Sequence, residues 1–152
     1  LPGIAGSAIE ILAVIDPNDA REVGLNVLRS PDATELTRIS FFHRGNARWG
    51  TPQLQIDGSR SSTGADVLGR PPEIGPLDIP DGEHLRLRIF IDRSIVEVFA
   101  NDIQCLTLRA YPESPASTGV SVFARGNSAT LKSLHCWQMR SVWPELESRQ
   151  GQ

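Results

Sequence analysis

The sequence predicts an all-β fold of antiparallel strands, and three observations support this prediction. Apolar residues recur at every second position in many short segments, which places them on one face of a pleated strand. Polar breaks rich in Gly, Pro, Asp, Asn and Ser separate these segments, as is typical of turns. Helical periodicity is nearly absent. Many short strands joined by polar turns indicate an antiparallel sandwich or barrel.

The first half of the chain contains four predicted strands, at residues 9–15, 23–29, 36–42 and 53–56. Residues 58–82 then break the pattern, because their prolines prevent regular ladder hydrogen bonds. This segment is interpreted as a crossover over one sheet face. The apolar residues expected to hold it there are Val67, Leu68, Ile74 and Leu77. A loop of this length could also contact a neighbouring domain.

Residues 84–112 predict three consecutive strands joined by two tight turns. Apolar residues alternate in the first strand, and the second, residues 95–100, is β-branched and aromatic. The polar breaks Asp92-Arg93-Ser94 and Asn101-Asp102 mark the turns. The last two predicted strands are residues 119–125 and 129–142.

This central segment resembles the C-terminal β-sandwich domain of glycoside hydrolase family 32, which includes invertases, sucrose-6-phosphate hydrolases, inulinases and levanases. The resemblance rests on RIFIDRSIVEVFANDIQCLT followed by Tyr111-Pro112, and on two shorter matches at residues 54–62 and 134–143. It implies two packed sheets in a lectin-like jelly roll over residues 1–143, with residues 144–152 as a C-terminal tail. Asp102 departs from the more usual Asn-Gly turn, so the turn type stays open.

The resemblance also implies where catalysis occurs in such enzymes, which is on a separate N-terminal β-propeller. Its three carboxylates lie in Trp-x-Asn-Asp-Pro-Asn-Gly, Arg-Asp-Pro and Glu-Cys phrases. This chain contains neither of the last two, and Asp16-Pro17-Asn18 is interpreted as a turn. The expected function is a non-catalytic accessory domain that stabilises or docks onto the propeller, with homodimer formation as a further role. The choice among sucrose, inulin and levan is expected to be made on the propeller.

Glu97 is the carboxylate that the sequence predicts to be partly buried, because β-branched residues flank it in a strand. A buried carboxylate needs a partner. We expect a structural ion pair with Arg86, Arg88 or Arg93. A glycosidase site within the sandwich is the weaker interpretation, since it needs a second carboxyl group about 5–10 Å away.

A lectin-like module that binds fructan or another glycan is the alternative function. A tryptophan on a loop can offer its ring face to a sugar, and Trp49 lies in a predicted loop. The candidate sugar-binding residues are Trp49, Arg48, Asn46 and Arg60. Trp49 could instead cover the edge of the core. Trp137 and Trp143 are expected to pin the last strand.

Composition narrows the partners and the chemistry. The formal net charge of −3 over 152 residues argues against nucleic acid, which requires a basic surface. No apolar run reaches the roughly 20 residues of a membrane helix. The chain shows no signal peptide, and the compartment stays open between secreted and cytoplasmic. Without closely spaced ligand pairs, no metal or cofactor is expected.

The two cysteines, Cys105 and Cys136, lie in different predicted strands. They are interpreted as buried apolar residues, because free cysteine is commonly found in protein interiors. A disulfide would form only if their strands adjoin at suitable spacing.

Overall fold

The computed structural model describes residues 1, 3–43 and 50–141. In this part of the chain, ten strands form two five-stranded antiparallel sheets, and no helix is present, so none could span a membrane. The predicted all-β antiparallel sandwich is confirmed. The strands are β1 Ala8–Asp16, β2 Glu22–Arg29, β3 Thr37–Phe42, β4 Gln53–Asp57, β5 Glu73–Pro76, β6 Leu85–Asp92, β7 Ile95–Ala100, β8 Gln104–Arg109, β9 Gly119–Arg125 and β10 Thr130–Gln138. The predicted tail, residues 144–152, lies outside the described residues.

Sheet I has the strand order β10-β1-β6-β7-β8, and sheet II has the order β5-β4-β3-β2-β9. The core lies between them, and strand alternation decides which side chains enter it. In β1 and β6 every second residue is buried, and the register aligns the buried positions of the two strands. The aligned pairs are Ile9 with Ile91, Ile11 with Ile89, and Ala13 with Leu87. Full burial of such a side chain contributes roughly 1.5–3 kcal/mol.

Strand β2 is buried on both faces, unlike its neighbours. All its residues except Arg29 are buried. Leu28 has a left-handed backbone (φ 47°) where the register with β9 shifts, so Val27 and Leu28 are buried in succession. Gly24 lies so close to β3 that an added Cβ atom would meet the carbonyl oxygen of Ile39 at 1.9 Å.

The segment at residues 58–82 contains a strand that the sequence analysis missed. Strand β5 pairs with β4 at the edge of sheet II, where Pro76 at its end is tolerated. Leu77 is fully buried, as expected. The expectation that Val67, Leu68 and Ile74 hold this segment is wrong, because they are 37%, 87% and 44% exposed.

Candidate functional site

The turn between β7 and β8 explains the asparagine of the central phrase. Asn101 and Asp102 both have left-handed backbones (φ 51° and 57°), as the two central residues of a type I′ turn require, and the Ile103 N–H donates to the Ala100 carbonyl at 3.0 Å. The buried Asn101 side chain accepts a hydrogen bond from the Arg86 backbone N–H at 2.8 Å and donates to the His84 carbonyl at 2.9 Å. The turn type left open by the sequence is therefore I′, and Asn101 ties this hairpin to the start of β6.

Asp102→Gly is expected to raise the free energy of unfolding by up to about 1 kcal/mol, because glycine avoids the roughly 1–2 kcal/mol steric cost of a positive φ, and its larger loss of backbone entropy offsets only part of that gain. The ion pair that it removes, Asp102 with Arg86 at 3.5 Å, is worth little because the carboxylate is 95% exposed. Thermal unfolding of both proteins checks this expectation. The control, Asn101→Gly, also relieves the backbone but breaks two hydrogen bonds, and should destabilise. A lower melting temperature for Asp102→Gly would contradict the backbone argument.

Glu97 lies on the outer face of sheet I, because its neighbours on either side are the ones that enter the core. Its carboxylate accepts a hydrogen bond from the Thr107 hydroxyl at 3.5 Å. Arg86 pairs with Asp102 instead, and Arg88 lies 2.7 Å from Glu10. Within the described residues neither Glu97 nor Arg93 forms an ion pair, so the expected pairing of Glu97 with an arginine is wrong. The carboxylate is only half-buried and keeps contact with solvent.

Glu35 lies two residues before the start of β3, and it is the buried carboxylate that the sequence analysis missed. It is 1% exposed. Oε1 accepts from the backbone N–H groups of Thr63 and Glu113, both at 2.8 Å, and from the Thr63 hydroxyl at 3.1 Å. Oε2 accepts from the Ser114 N–H at 3.1 Å and the Ser117 hydroxyl at 2.6 Å. Burial raises the pKa of this carboxyl, but the hydrogen bonds outweigh burial and lower it to about 2.

Arg60 contacts the loop that contains Glu35, through residues on either side of it. Its guanidinium donates to the carbonyl of Ala33, and its own carbonyl accepts from the Leu36 N–H at 2.7 Å. These bonds fix the loop before β3 against the Ser-Arg-Ser segment, and they give Arg60 a structural contact. The other three candidate sugar-binding residues, which lie outside the described residues, are Asn46, Arg48 and Trp49. A sugar site that combines them with Arg60 stays a prediction.

The two sides of the sandwich are closed to different degrees. On one side β5 and β8 lie together, and the Gln104 side chain donates to the Pro76 carbonyl at 3.0 Å. On the opposite side lie the edge strands β9 and β10, which no hydrogen bond joins in the described part of the chain. Leu131 is 39% exposed there. The residues that pack against the core on this β9–β10 side while only partly buried are Ile4, Val122, Ala129, Leu134 and Cys136.

The start of the chain runs along the β9–β10 side. The nitrogen of Leu1 donates to the Val120 carbonyl at 3.0 Å, and the Gly6 N–H donates to the Thr118 carbonyl at 2.9 Å. Ala5 forms an isolated bridge with Gly119, at the start of β9. A polypeptide that preceded Leu1 would therefore enter beside β9.

The outer face of sheet I carries two adjoining depressions that share Leu12 and Arg88 and together form a groove across β10, β1, β6 and β7. We call it the outer groove, and its lining residues are Glu10, Leu12, Arg86, Arg88, Phe90, Phe99, Asn101, Asp102 and Trp137. Trp137 is 49% exposed and stacks on His135, with ring centroids 5.9 Å apart and an interplanar angle of 19°. The expectation that Trp137 pins the last strand is wrong, and Trp143, for which the same was expected, lies outside the described residues. Because Trp137 pairs with the outward-facing Glu10, its ring lies outside the core.

The cysteines lie at opposite edges of sheet I, in β8 and β10, and both are free. Cys105 is exposed on the outer face, which corrects the expectation that both are buried. Cys136 is half-buried on the inner face, opposite Ile11, and burial raises its thiol pKa. Among the described residues, no group of three or more His, Cys, Asp or Glu side chains is placed to hold a metal ion.

Comparison with known families identifies the domain. The model described as glycosyl hydrolases family 32 C terminal matches residues 2–138. The chain belongs to this family. It is 38% identical to a 6(G)-fructosyltransferase of Asparagus officinalis over 126 residues, which are 78% of the chain and 20% of that protein. It is 33% identical to a levanase of Bacillus subtilis over 150 residues, which are 94% of the chain and 20% of the levanase.

A solved structure gives the same fold for this family 32 domain. Fructan 1-exohydrolase IIa from Cichorium intybus superposes with a TM-score of 0.76 at 22% identity, over 92% of this chain and 32% of that one. The family 32 resemblance stated from the sequence and the β-sandwich it implied are confirmed. The chain spans about a fifth of the length of the curated relatives that it matches.

Proposed function

We propose that this chain is the non-catalytic accessory domain of a fructoside-hydrolysing enzyme, and that it stabilises the catalytic propeller by docking onto it. Membership of family 32 as a C-terminal domain supports the first part, together with relatives named levanase and fructosyltransferase. The observation that carries the second part is the position of the partly exposed apolar residues. Most of those that pack against the core while only partly buried lie on the β9–β10 side, where a preceding polypeptide would enter.

Docking on the β9–β10 side would remove two costs of the isolated domain. Burying the exposed parts of Leu131 and Leu134 gains roughly 25 cal/mol for each Å² of apolar surface. Covering β9 and β10 also protects two sheet edges, which otherwise offer unpaired backbone groups to other chains. On the β5–β8 side the two edge strands already contact each other through the hydrogen bond from Gln104 to the Pro76 carbonyl, although Ile74 and Ile103 are exposed there.

The docking proposal is tested by extending the chain with the polypeptide encoded upstream of Leu1. That segment is expected to contain the three catalytic phrases of the family. Leu131→Lys should lower the melting temperature of the extended protein while leaving that of the isolated chain nearly unchanged. Ile103→Lys is the matched control, since Ile103 is 61% exposed on the hairpin at the opposite side. Equal effects of both substitutions in the extended protein would contradict docking at the β9–β10 side.

The same surface could join two copies of the chain. Homodimer formation predicts a sedimentation mass that rises with protein concentration and falls back to one chain for Leu131→Lys. A mass of one chain at all concentrations would contradict homodimer formation.

The isolated chain is expected to release no fructose from sucrose, inulin or levan. The physical reason is that its sequence lacks the family's Arg-Asp-Pro and Glu-Cys phrases. Reducing sugar released from each substrate by purified protein checks this. Turnover that disappears in Glu97→Gln, with an unchanged melting temperature, would contradict the accessory role.

A further inference from the structure

We propose that the outer groove of sheet I binds a neutral oligosaccharide. The groove has the three components such a ligand needs: an exposed aromatic ring, polar groups that both donate and accept, and an apolar floor. Its lining residues differ from the candidate sugar-binding residues around Trp49. It shares strand β10 with the β9–β10 side but lies on the outer face of sheet I. The proposal does not depend on docking to a catalytic domain.

Trp137 provides the aromatic face at one end of the groove. Half of its surface is exposed, and the nearly parallel His135 ring beside it restricts its orientation. A ring held in a fixed plane can stack against the C–H face of a sugar with little loss of side-chain freedom. Phe99, which is 37% exposed, provides a second apolar surface at the other end.

Two ion pairs supply polar groups along the groove. Arg88 lies 2.7 Å from Glu10, and its guanidinium lies over the Phe90 ring, 5.0 Å from the ring centroid. Arg86 lies 3.5 Å from Asp102. The arginine side chains stay 49% and 57% exposed, so their remaining N–H groups can donate to a ligand. Guanidinium donates only and carboxylate accepts only, which together match a hydroxyl that does both.

The charge of the groove favours a neutral ligand over other classes. Two arginines face two carboxylates in its lining, so neither a polyanion nor a polycation is attracted overall. A protein partner with an apolar face would have to desolvate both ion pairs, which is costly. A sugar avoids this cost, because its hydroxyls replace the water that solvates the charges.

The dimensions of the groove suit a short oligosaccharide. Its residues lie on four adjacent strands, and neighbouring strands are about 4.8 Å apart, so the groove is roughly 14 Å from β10 to β7. Trp137 and Phe99 mark its two ends, and Arg88 lies between them. Several linked sugar rings could therefore contact both aromatic residues at once.

The test is a titration of this chain with a fructo-oligosaccharide of the inulin type, a levan-derived fructo-oligosaccharide and maltotetraose. Backbone amide and indole N–H shifts report the contacts. We expect saturable shifts for at least one sugar, with a Kd of about 1 mM, centred on β1, β6 and β10. Trp137→Ala and Arg88→Ala should each weaken binding at least tenfold. Arg88→Lys, which keeps the charge but loses the planar fork, should also weaken it.

Two control variants locate the effect. Tyr111→Ala removes an aromatic side chain of similar exposure that does not line the groove, and should leave binding unchanged. Trp49→Ala should also leave it unchanged. Binding that is lost in Trp49→Ala but retained in Trp137→Ala would place the site in the predicted loop around Trp49 and overturn the proposal. The absence of a saturable shift with all three sugars would also overturn the proposal. Melting temperatures are measured for each variant to show that it remains folded.

Discussion

Glu35→Gln is expected to lower the free energy of unfolding by about 3 kcal/mol at pH 7. The hydrogen bonds to Glu35 lower the pKa of its carboxyl from 4.5 to about 2, and each pKa unit corresponds to about 1.4 kcal/mol. An amide keeps the shape of the side chain but turns one acceptor into a donor. That donor would face the N–H and O–H groups of residues 63 and 113–117, which themselves donate to the carboxylate.

The pH dependence gives an independent check on Glu35. Its carboxyl has a lower pKa in the folded chain than in the unfolded one, so its contribution is fully present above pH 4.5 and is lost as the pH falls towards 2. Urea unfolding between pH 2 and pH 7 should therefore show a steeper loss of stability for the parent protein than for Glu35→Gln.

The matched control for Glu35 is Glu83→Gln, because Glu83 is an exposed carboxylate in the turn before β6. A substitution at an exposed site without a special contact usually changes stability by less than about 0.5 kcal/mol. Parallel stability curves for the parent and Glu35→Gln across this pH range would show that the carboxylate is not held ionised.

The sequence predicts the strands of this fold better than it predicts which face each one buries. Alternation located β1, β6 and β9 to within a residue or two, because local patterning is a property of neighbouring residues. Glu97 shows the limit. The sequence shows that Glu97 and Phe99 lie on the same face of β7. Only the packing of sheet II against sheet I determines that this face points outward. Trp137 follows the same rule in β10.

The role of Glu35 could not be predicted from local sequence at all. Its hydrogen-bond donors lie 28 residues away in one loop and 78–82 residues away in another, so only the folded chain brings them together. Edge strands are similarly hard to predict. Strand β5 has four residues, pairs on one side only and ends in Pro76, so it lacks the alternation that marked the central strands.

Glu35 also lies away from the outer groove. Its hydrogen bonds fix the loops before β3 and after β8, whereas the groove consists of side chains on β1, β6, β7 and β10 with the turn at residues 101–102. A variant that loosens these loops should therefore leave sugar binding by the folded protein unchanged. This makes Glu35→Gln a useful check that loss of binding in Trp137→Ala reflects contact and not stability.

Gly24→Ala is expected to destabilise the fold by about 3 kcal/mol or more, because overpacking a tightly packed site costs typically 1–3 kcal/mol and occasionally more. The new Cβ atom would lie 1.9 Å from the Ile39 carbonyl oxygen and 2.9 Å from its carbonyl carbon. These are backbone atoms, so no side-chain rotation can relieve the contact. Strands β2 and β3 would have to separate in the middle of sheet II, where Leu25 and Ile39 are fully buried.

Gly69→Ala is the matched control for Gly24→Ala, since an added Cβ atom at Gly69 meets nothing within 4 Å. It makes the same chemical change in an exposed loop and should leave the stability unchanged or raise it by up to about 1 kcal/mol, because alanine restricts the unfolded chain. Urea unfolding of the parent protein, Gly24→Ala and Gly69→Ala separates the steric effect at Gly24 from the effect of alanine on the unfolded chain. Similar midpoints for Gly24→Ala and Gly69→Ala would mean that β2 and β3 are not packed as closely as their register indicates.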